Sequence, residues 1–341
     1  MNADPPAKLA DVALRAGVSA ATVSRCLNAP DRVSPGTRAR VLDAVAALGY
    51  APNTAARALA ARRSGMIGAV IPTMENAIFA RGLQAFQEEL DARGYTLLVA
   101  SSSYREALEA EQIRTLAARG TDGLLLIGHH RDPAVTEVLA ARGIPALVAW
   151  AHDPGPGRLP AIGFDNAAAM ARLARAVLDE GHRRIGVISA DTVGNDRARD
   201  RLAGIRRMLA AAGAPLAPEL CIETIYGVAE GGVAFDALMN CATPPTAVMC
   251  GNDVLAVGAM RAARLRGLSV PRDVSITGFD DIDLATVADP PLTTVHVPHR
   301  EMGRRAAGLL VDMVGARTID GPSVELEATV VLRGTLGPVP G

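Results

Sequence analysis

Apolar positions fall into two textures along this chain. Between residues 9 and 48 they recur at helical spacing in three short segments. From Met66 onward they gather into short runs separated by helix-period stretches. In the first texture, Asp11 to Ala16 sets Val12, Ala13 and Ala16 at helical spacing, Gly17 breaks the helix, and Val18 fills a core position. Ser19 is then the N-cap of a second helix, with Val23 and Leu27 pointing inward at i and i+4. Ser34-Pro35 reads as N-cap and first position of a third, running through Thr37, Val41, Val45 and Leu48 to Gly49. "GYAPN" (49–53) is a turn, because Pro52 cannot continue a helix. "TAARALAARRSG" (54–65) could form a short helix but has no stripe of its own to bury. Helices that short are marginal in water, so this is a conditional linker, ordered when something holds it.

The second texture predicts buried strands at "MIGAVIP" (66–72), "YTLLVAS" (95–101), "GLLLIG" (123–128) and "PALVAW" (145–150). Helical stretches near 78–93, 105–119 and 132–142 separate them. A second series follows, with strands at "AIGFD" (161–165), "RIGVISA" (184–190), "LCIETIY" (220–226), "AVMCGND" (247–253) and "VSITGFD" (274–280). Alternating strand and helix argues for two successive α/β units with parallel sheets and right-handed crossovers. Such sheets bind ligands at the carboxyl ends of their strands, and two units face to face make a cleft. "LTTVHV" (292–297) and a helix from Pro298 to about Val314 come late enough for the chain to cross back to the first unit.

Composition changes the picture at the head. The outward residues of the second helix are Ala20, Ala21, Thr22, Ser24, Arg25 and Asn28. A helix meant only for solvent carries Glu and Lys there; this one is made to approach another surface closely. The net charge of −1 conceals an asymmetry: residues 1–63 hold nine basic residues against four aspartates, a net +5, and the remainder carries −6. A basic head on an acidic body points to a polyanion met by the head alone. At 341 residues the chain holds two or three domains. No apolar run approaches the roughly 18 residues of a membrane span, and no secretory signal pattern opens the chain. Cys26, Cys221, Cys241 and Cys250 lack any metal-ligand spacing, so the expected setting is the cytoplasm, without bound metal or membrane partner.

Polar residues end several strands. "GND" (251–253), "GFDD" (278–281) and "GFDN" (163–166) each follow an apolar run, and Arg197, Arg199 and Arg201 open a helix after "RIGVISA". Converging Asn, Asp and Arg suit hydrogen bonding to a polyhydroxylated or planar polar ligand; equally, such residues cap the next helix. Asp280, Asp281 and Asp283 could be paired carboxylates or a cation site, but no nearby His or Glu completes a constellation, which favours a turn and a capped helix. His129-His130 could be ligands or simply line a loop. GxxxxGK[ST], GxSxG, HExxH and a strand-linked GxGxxG are all missing, so neither an enzyme nor a cofactor is indicated.

"LADVALRAGVSAATVSRCLN", "VSPGTRARVLDAVAALGYAPN" and "AARALAARRS" resemble the head of the LacI (lactose-repressor) family of bacterial transcription regulators. "DGLLLIG", "GHRRIGVIS", "RLAGI", "GNDVLAVGAM", "VPRDVSITGFDD" and "DPPLTTV" resemble its regulatory core, and the gluconate-repressor type is one branch that fits. The resemblance implies an all-α helix-turn-helix head over 8–53, a hinge helix over 54–64 and an α/β effector-binding and dimerisation core over 65–333. That core has two Rossmann-like parallel-sheet lobes of the periplasmic-binding-protein type. Lobe one is expected at about 65–162 and 296–322, lobe two at about 163–295 and 323–333.

The resemblance also implies a homodimer, or dimer of dimers, on a near-palindromic double-stranded operator. The second helix then enters the major groove, with Ala20, Ala21 and Arg25 where the family reads base edges. Thr22, Ser24 and Asn28 fall at phosphates or adjacent bases, Ser34, Thr37, Tyr50 and Asn53 at further backbone contacts, and Leu9 and Ser19 complete the set. The two alanines stand where the family often bears large polar side chains; they offer thymine methyls apolar contact and leave Arg25, matched to guanine, much of the direct readout. Leu59, with Ala56 beside it, falls where the family wedges a leucine between central base steps. In the core, Arg201, Asn252 and Asp280 fall on effector-contacting positions, and Ile78 and Phe79 where apolar or aromatic residues pack on the ligand. Trp150 stands where the lactose repressor has an acid, so ligand identity cannot be borrowed from it. The implied effector is a carbohydrate or sugar acid, with a nucleoside not distinguished from either, acting as inducer or corepressor. Leu59→Ala is expected to reduce operator affinity and bending in gel-shift and phasing assays, while ligand binding to the free protein stays unchanged.

Overall fold

The computed structural model describes residues 7–28, 30–50, 63–75, 77–153, 155 and 157–340. The chain divides into two compact units, Met1–Ser64 and Gly65–Gly341. In the first, α1 (Leu9–Ala16), α2 (Ala20–Asn28) and α3 (Pro35–Leu48) enclose Val12, Ala13, Ala16, Val23, Cys26, Val41 and Ala44. Gly17 adopts φ +65°, and the Gly17 and Val18 amides donate to Leu14 and Ala13, closing α1 with the left-handed turn that glycine permits. Ser19 Oγ then accepts from the Thr22 amide at 3.2 Å, so one hydroxyl fixes where α2 begins.

The second unit begins with β1 (Met66–Ile71), α4 (Ala77–Ala92), β2 (Thr96–Ser101), α5 (Glu106–Ala118), β3 (Gly123–Ile127), α6 (Pro133–Ala141), β4 (Ala146–Ala149) and β5 (Ala161–Gly163). There follow α7 (Asn166–Asp179), β6 (Ile185–Ala190), α8 (Asp196–Ala211), β7 (Cys221–Thr224), α9 (Val228–Met239), β8 (Ala247–Cys250), α10 (Asp253–Leu265), β9 (Ser275–Thr277) and α11 (Asp283–Val287). It closes with β10 (Thr294–His296), α12 (His299–Ala316), β11 (Val324–Glu325) and β12 (Thr329–Val331). A six-stranded parallel sheet in the order β11-β5-β4-β3-β1-β2 forms lobe one, and a four-stranded parallel sheet, β7-β6-β8-β9, forms lobe two. β10 and β12 pair antiparallel as a ribbon. The two α/β lobes are those the run pattern predicts, and β3 and β4 are buried at every residue, as strands covered on both faces must be. Among the described residues, no helix is long and apolar enough to cross a membrane.

The lobe boundaries differ from expectation at two places. Residues 323–333 were expected in lobe two, yet Val324 and Glu325 pair with Ile162 and Gly163 at the edge of the lobe-one sheet. Gly163, expected to open lobe two, therefore belongs to lobe one as well. The reason is the edge of β5, whose backbone groups are satisfied by the strand returning after α12. The tail then crosses again: the Ile276 amide donates to Thr335 O at 2.9 Å and the Gly337 amide to Ser275 Oγ at 3.2 Å, so lobe two extends past residue 333.

Helix pairs cover these sheets at very short range. α12 crosses α4 where Gly303 faces Gly82, and a Cβ on Gly303 would run into the Gly82 carbonyl. A Cβ added at Gly315, on the same helix, would meet nothing within 4 Å. Gly303→Ala is expected to lower stability by about 1–3 kcal/mol through overpacking, whereas Gly315→Ala should be neutral or gain up to about 1 kcal/mol. Urea unfolding of both variants measures the contrast.

Candidate nucleic-acid interface and effector cleft

The head presents a surface of small groups around one cation. Ala20, Ala21 and Arg25 are exposed on α2, while Thr22 and Ser24 are half-buried beside them. Ser34 is exposed and donates from Oγ to Thr37 Oγ1 at 3.0 Å, tying the entry of α3. Leu9 and Tyr50 are half-buried against the head's core, so each supports the fold while keeping an accessible edge. The Asn28 side chain, Asn53, Ala56 and Leu59 lie outside the described residues. With Ala20 and Ala21 in its first turn, α2 carries no large side chain beside its positive dipole end.

In the core, α8, the β8–α10 turn and the end of β9 bring Arg201, Asn252 and Asp280 together. Arg201 is 7% exposed, donates from Nη1 to Gly251 O at 2.7 Å, and lays its guanidinium 4.4 Å over the Phe279 ring. Asn252 caps α10, its Oδ1 accepting from the Leu255 amide at 2.9 Å, and leaves Nδ2 buried without a hydrogen-bond partner. The "GND" turn thus caps a helix, and the Asn252 amide nitrogen has no partner within the core. Asp280 sits at φ +102°, 1% exposed, with Oδ2 buried and unpartnered. Burial pushes its carboxyl up to about 6, against the pull of Arg201 and Arg197.

Lobe one contributes an apolar wall. Ile78 and Phe79 are buried in the first turn of α4, and Phe79 meets Trp150 edge-on at 5.3 Å. Trp150, at φ +61°, donates from Nε1 to His299 Nδ1 at 3.0 Å, and His299 Nε2 donates in turn to Asp280 O at 3.2 Å. Burial drives the His299 imidazole down to about 4, which keeps it neutral in this relay. His299 thus links the aromatic wall to the strained Asp280 backbone. No sequence motif marks it; its partners lie 149 and 19 residues away.

The remaining candidates are structural. Asp281 pairs with Arg333 at 2.7 Å and His296 at 2.9 Å, and Asp283 pairs with Arg81, so the aspartate run forms a turn and ion pairs. Among the described residues, no group of His, Cys, Asp and Glu is placed to hold a metal. His129 and His130 offer their backbone amides to Asp196, a residue the sequence did not single out. Burial raises the Asp196 carboxyl, but Arg197 and three backbone amides outweigh it and leave it below its ordinary value. Two cavities open between the lobes. One is lined by Ser102, Tyr104, Glu109 and Arg197, and the other by His129, His152, Asn166, Asp196 and Asp200. Arg201 and Asp280 line neither, being covered by their own neighbours.

A helix-turn-helix head and a two-lobed core whose strand ends converge on Arg201, Asn252 and Asp280 define a DNA-binding regulator with a ligand-responsive body. Residues 8–53 match the bacterial regulatory proteins of the lacI family, and residues 174–336 match the periplasmic binding protein-like domain. The HTH-type transcriptional repressor CytR of Escherichia coli (strain K12) is 33% identical over 98% of this chain and 97% of its own length. The lac repressor dimer bound to operator and the anti-inducer ONPF superposes with a TM-score of 0.86 at 29% identity, covering 98% of this chain and all of that one. The CelR–cellobiose complex does so at 0.71 and 30% identity, covering 96% and 99%. This chain belongs to the lacI family of bacterial regulatory proteins and is a DNA-binding transcriptional regulator.

Asp253, next to Asn252, is a buried carboxyl displaced far from its ordinary value. It is fully buried, accepts from Thr294 Oγ1 at 2.6 Å and the Ile282 amide at 2.8 Å, and is pushed up to about 8 by burial and then by Asp280. A carboxyl raised on folding stabilises the protein in its protonated form, and that contribution disappears as pH rises through the folded-state value. Between pH 7 and 8 the contribution of Asp253 to stability should fall by at most about 1.4 kcal/mol per pH unit, and this contribution levels off above the folded-state value. Asp253→Asn should flatten the slope in urea titrations at each pH.

Proposed function

We propose that this protein is a cytoplasmic, homodimeric repressor of a near-palindromic operator, controlled by a sugar or sugar acid bound at Arg201, Asn252 and Asp280. The observation that carries the effector site is the pair of buried, unpartnered atoms Asp280 Oδ2 and Asn252 Nδ2 beside the Arg201 guanidinium. Native proteins seldom leave such groups unpaired, because each costs the desolvation of a polar atom without return. An acceptor and donors converging on one point match the alternating donor and acceptor character of a hydroxyl-rich ligand. CelR, a relative in complex with cellobiose, supports that class, and the operator-bound lac repressor dimer supports the assembly. Phe79, Ile78 and Trp150 supply the apolar face against which a ring packs. The reading involves no catalysis; the ligand acts by binding one arrangement of the lobes better than another.

On DNA, the +5 head supplies affinity and α2 supplies choice. Ala20 and Ala21 contribute apolar contact alone, and Arg25 pairs with guanine. A duplex selected from a random pool gives the probe. Wild-type affinity should fall steeply with salt, and Arg25→Ala should lose preference among sequences more than it loses salt dependence. Equal weakening on every sequence would make Arg25 a phosphate contact and refute its assignment as a reader.

A thermal-shift screen across sugars, sugar acids and nucleosides identifies the effector, because a molecule that binds only the native state raises its stability. Asp280→Ala and Arg201→Ala should each weaken that ligand by roughly 1.5–3 kcal/mol, about ten- to a hundredfold, with DNA binding intact. Unchanged calorimetric affinity in both variants would place the site elsewhere.

A further inference from the structure

We infer that Asp196 is a cross-cleft latch: its carboxylate, carried on the first turn of α8 in lobe two, seats on two backbone amides at the end of β3 and holds the lobes together with groups the chain itself supplies. The lobe-one half of the latch is a backbone concavity. Gly128 follows β3 at φ +71°, and this left-handed step aims the next two amides, His129 and His130, at a single point. Successive amides in that geometry form an anion-binding nest. Here both donate to Asp196 Oδ2, the His130 bond measuring 3.1 Å.

Each half is held from behind. Arg131, buried in lobe one, donates from Nη2 to Gly128 O at 2.7 Å and pairs with Glu109 at 3.3 Å, fixing the carbonyl side of the turn. In lobe two, Asp196 Oδ1 accepts from the Arg197 amide and from Arg197 Nη1, both at 2.9 Å. The fit also depends on glycine: a Cβ at Gly128 would run into Asp196 Oδ1 and Arg197 Nη1. No other residue type combines that backbone angle with so close an approach.

Burial gives the contact its weight. Asp196 is 5% exposed and Arg197 6%, whereas the Arg81–Asp283 pair, which also spans the lobes, has side chains 42% and 84% exposed. Exposed ion pairs contribute little to stability. Opening at Asp196 instead strips one carboxylate oxygen, Oδ2, and two amides of their partners at once, so the latch is made or broken as a unit. Its position divides the space between the lobes. Arg197 lines the smaller cavity, Asp196 the larger, and His130 lines both. A molecule spanning the two chambers must displace the latch, and one confined to a single chamber leaves it closed.

The test uses the full chain in buffer without added small molecules. Asp196→Ala should enlarge the particle in small-angle scattering. It should also accelerate amide exchange at least tenfold at residues 102–105 of lobe one and 191–195 of lobe two, neither of which bonds to Asp196. Arg81→Ala should change neither reading. Faster exchange confined to residues 128–131, with unchanged scattering, would reduce Asp196 to a local cap and overturn the inference. Gly128→Ala attacks the latch from the opposite lobe; if Asp196→Ala fails to fold, the same opening is expected of Gly128→Ala, and unchanged scattering there refutes the latch equally.

Discussion

A carboxyl oxygen buried without a hydrogen-bond partner makes its group costly to ionise, and Asp280 keeps its Oδ2 in that condition where the strand end of lobe two meets the aromatic wall of lobe one. Its backbone sits at a left-handed angle that side chains other than glycine rarely adopt, and its carbonyl is held by His299. His299 is in turn held by Trp150, which packs on Phe79, so the aromatic wall of lobe one and the strand end of lobe two support one another. Arg201 is placed above Phe279 by the Gly251 carbonyl and not by a direct ion pair with Asp280. The result is a charged acceptor and charged donor held near each other with unused valence, the arrangement that strain at functional sites typically serves.

The same economy governs how the lobes meet. The chain crosses between them after β5, again between β10 and α12, and once more after β11, so relative motion is confined to rotation about a short bundle of strands. Phe164 and Phe279 stack at 5.9 Å beside that bundle, making its core apolar and continuous. Packed interfaces of this kind switch between discrete arrangements and do not deform gradually.

The head works by a different physics. Its core is small, seven buried residues with half-buried neighbours, and its positive charge is held on exposed arginines that contribute long-range attraction. Ala20 and Ala21 leave the exposed face of α2 low, and Arg25 stands out from it.

Much of this was legible in residue order. Caps and breakers are local: Gly17, Ser19, Ser34-Pro35 and Gly49 act within a turn of themselves, so the head's three helices could be read directly. Strand runs such as "GLLLIG" announce burial on both faces, which implied parallel sheets and two lobes. The family resemblance placed Arg201, Asn252 and Asp280, and the structure brings those three together. Their unpaired atoms were not legible, since whether a polar group finds a partner depends on every neighbour. Val324–Glu325 gave no signal because two residues carry no periodicity, and only the free edge of β5 makes them a strand. Trp150 and His299, or Asp196 and the amides after Gly128, are separated by 149 and 67 residues. Local sequence thus determined the elements and their order, through backbone geometry that extends only a few residues. Tertiary structure alone decided which strand ends share a cleft, which charges lose their water, and which of them find a partner there.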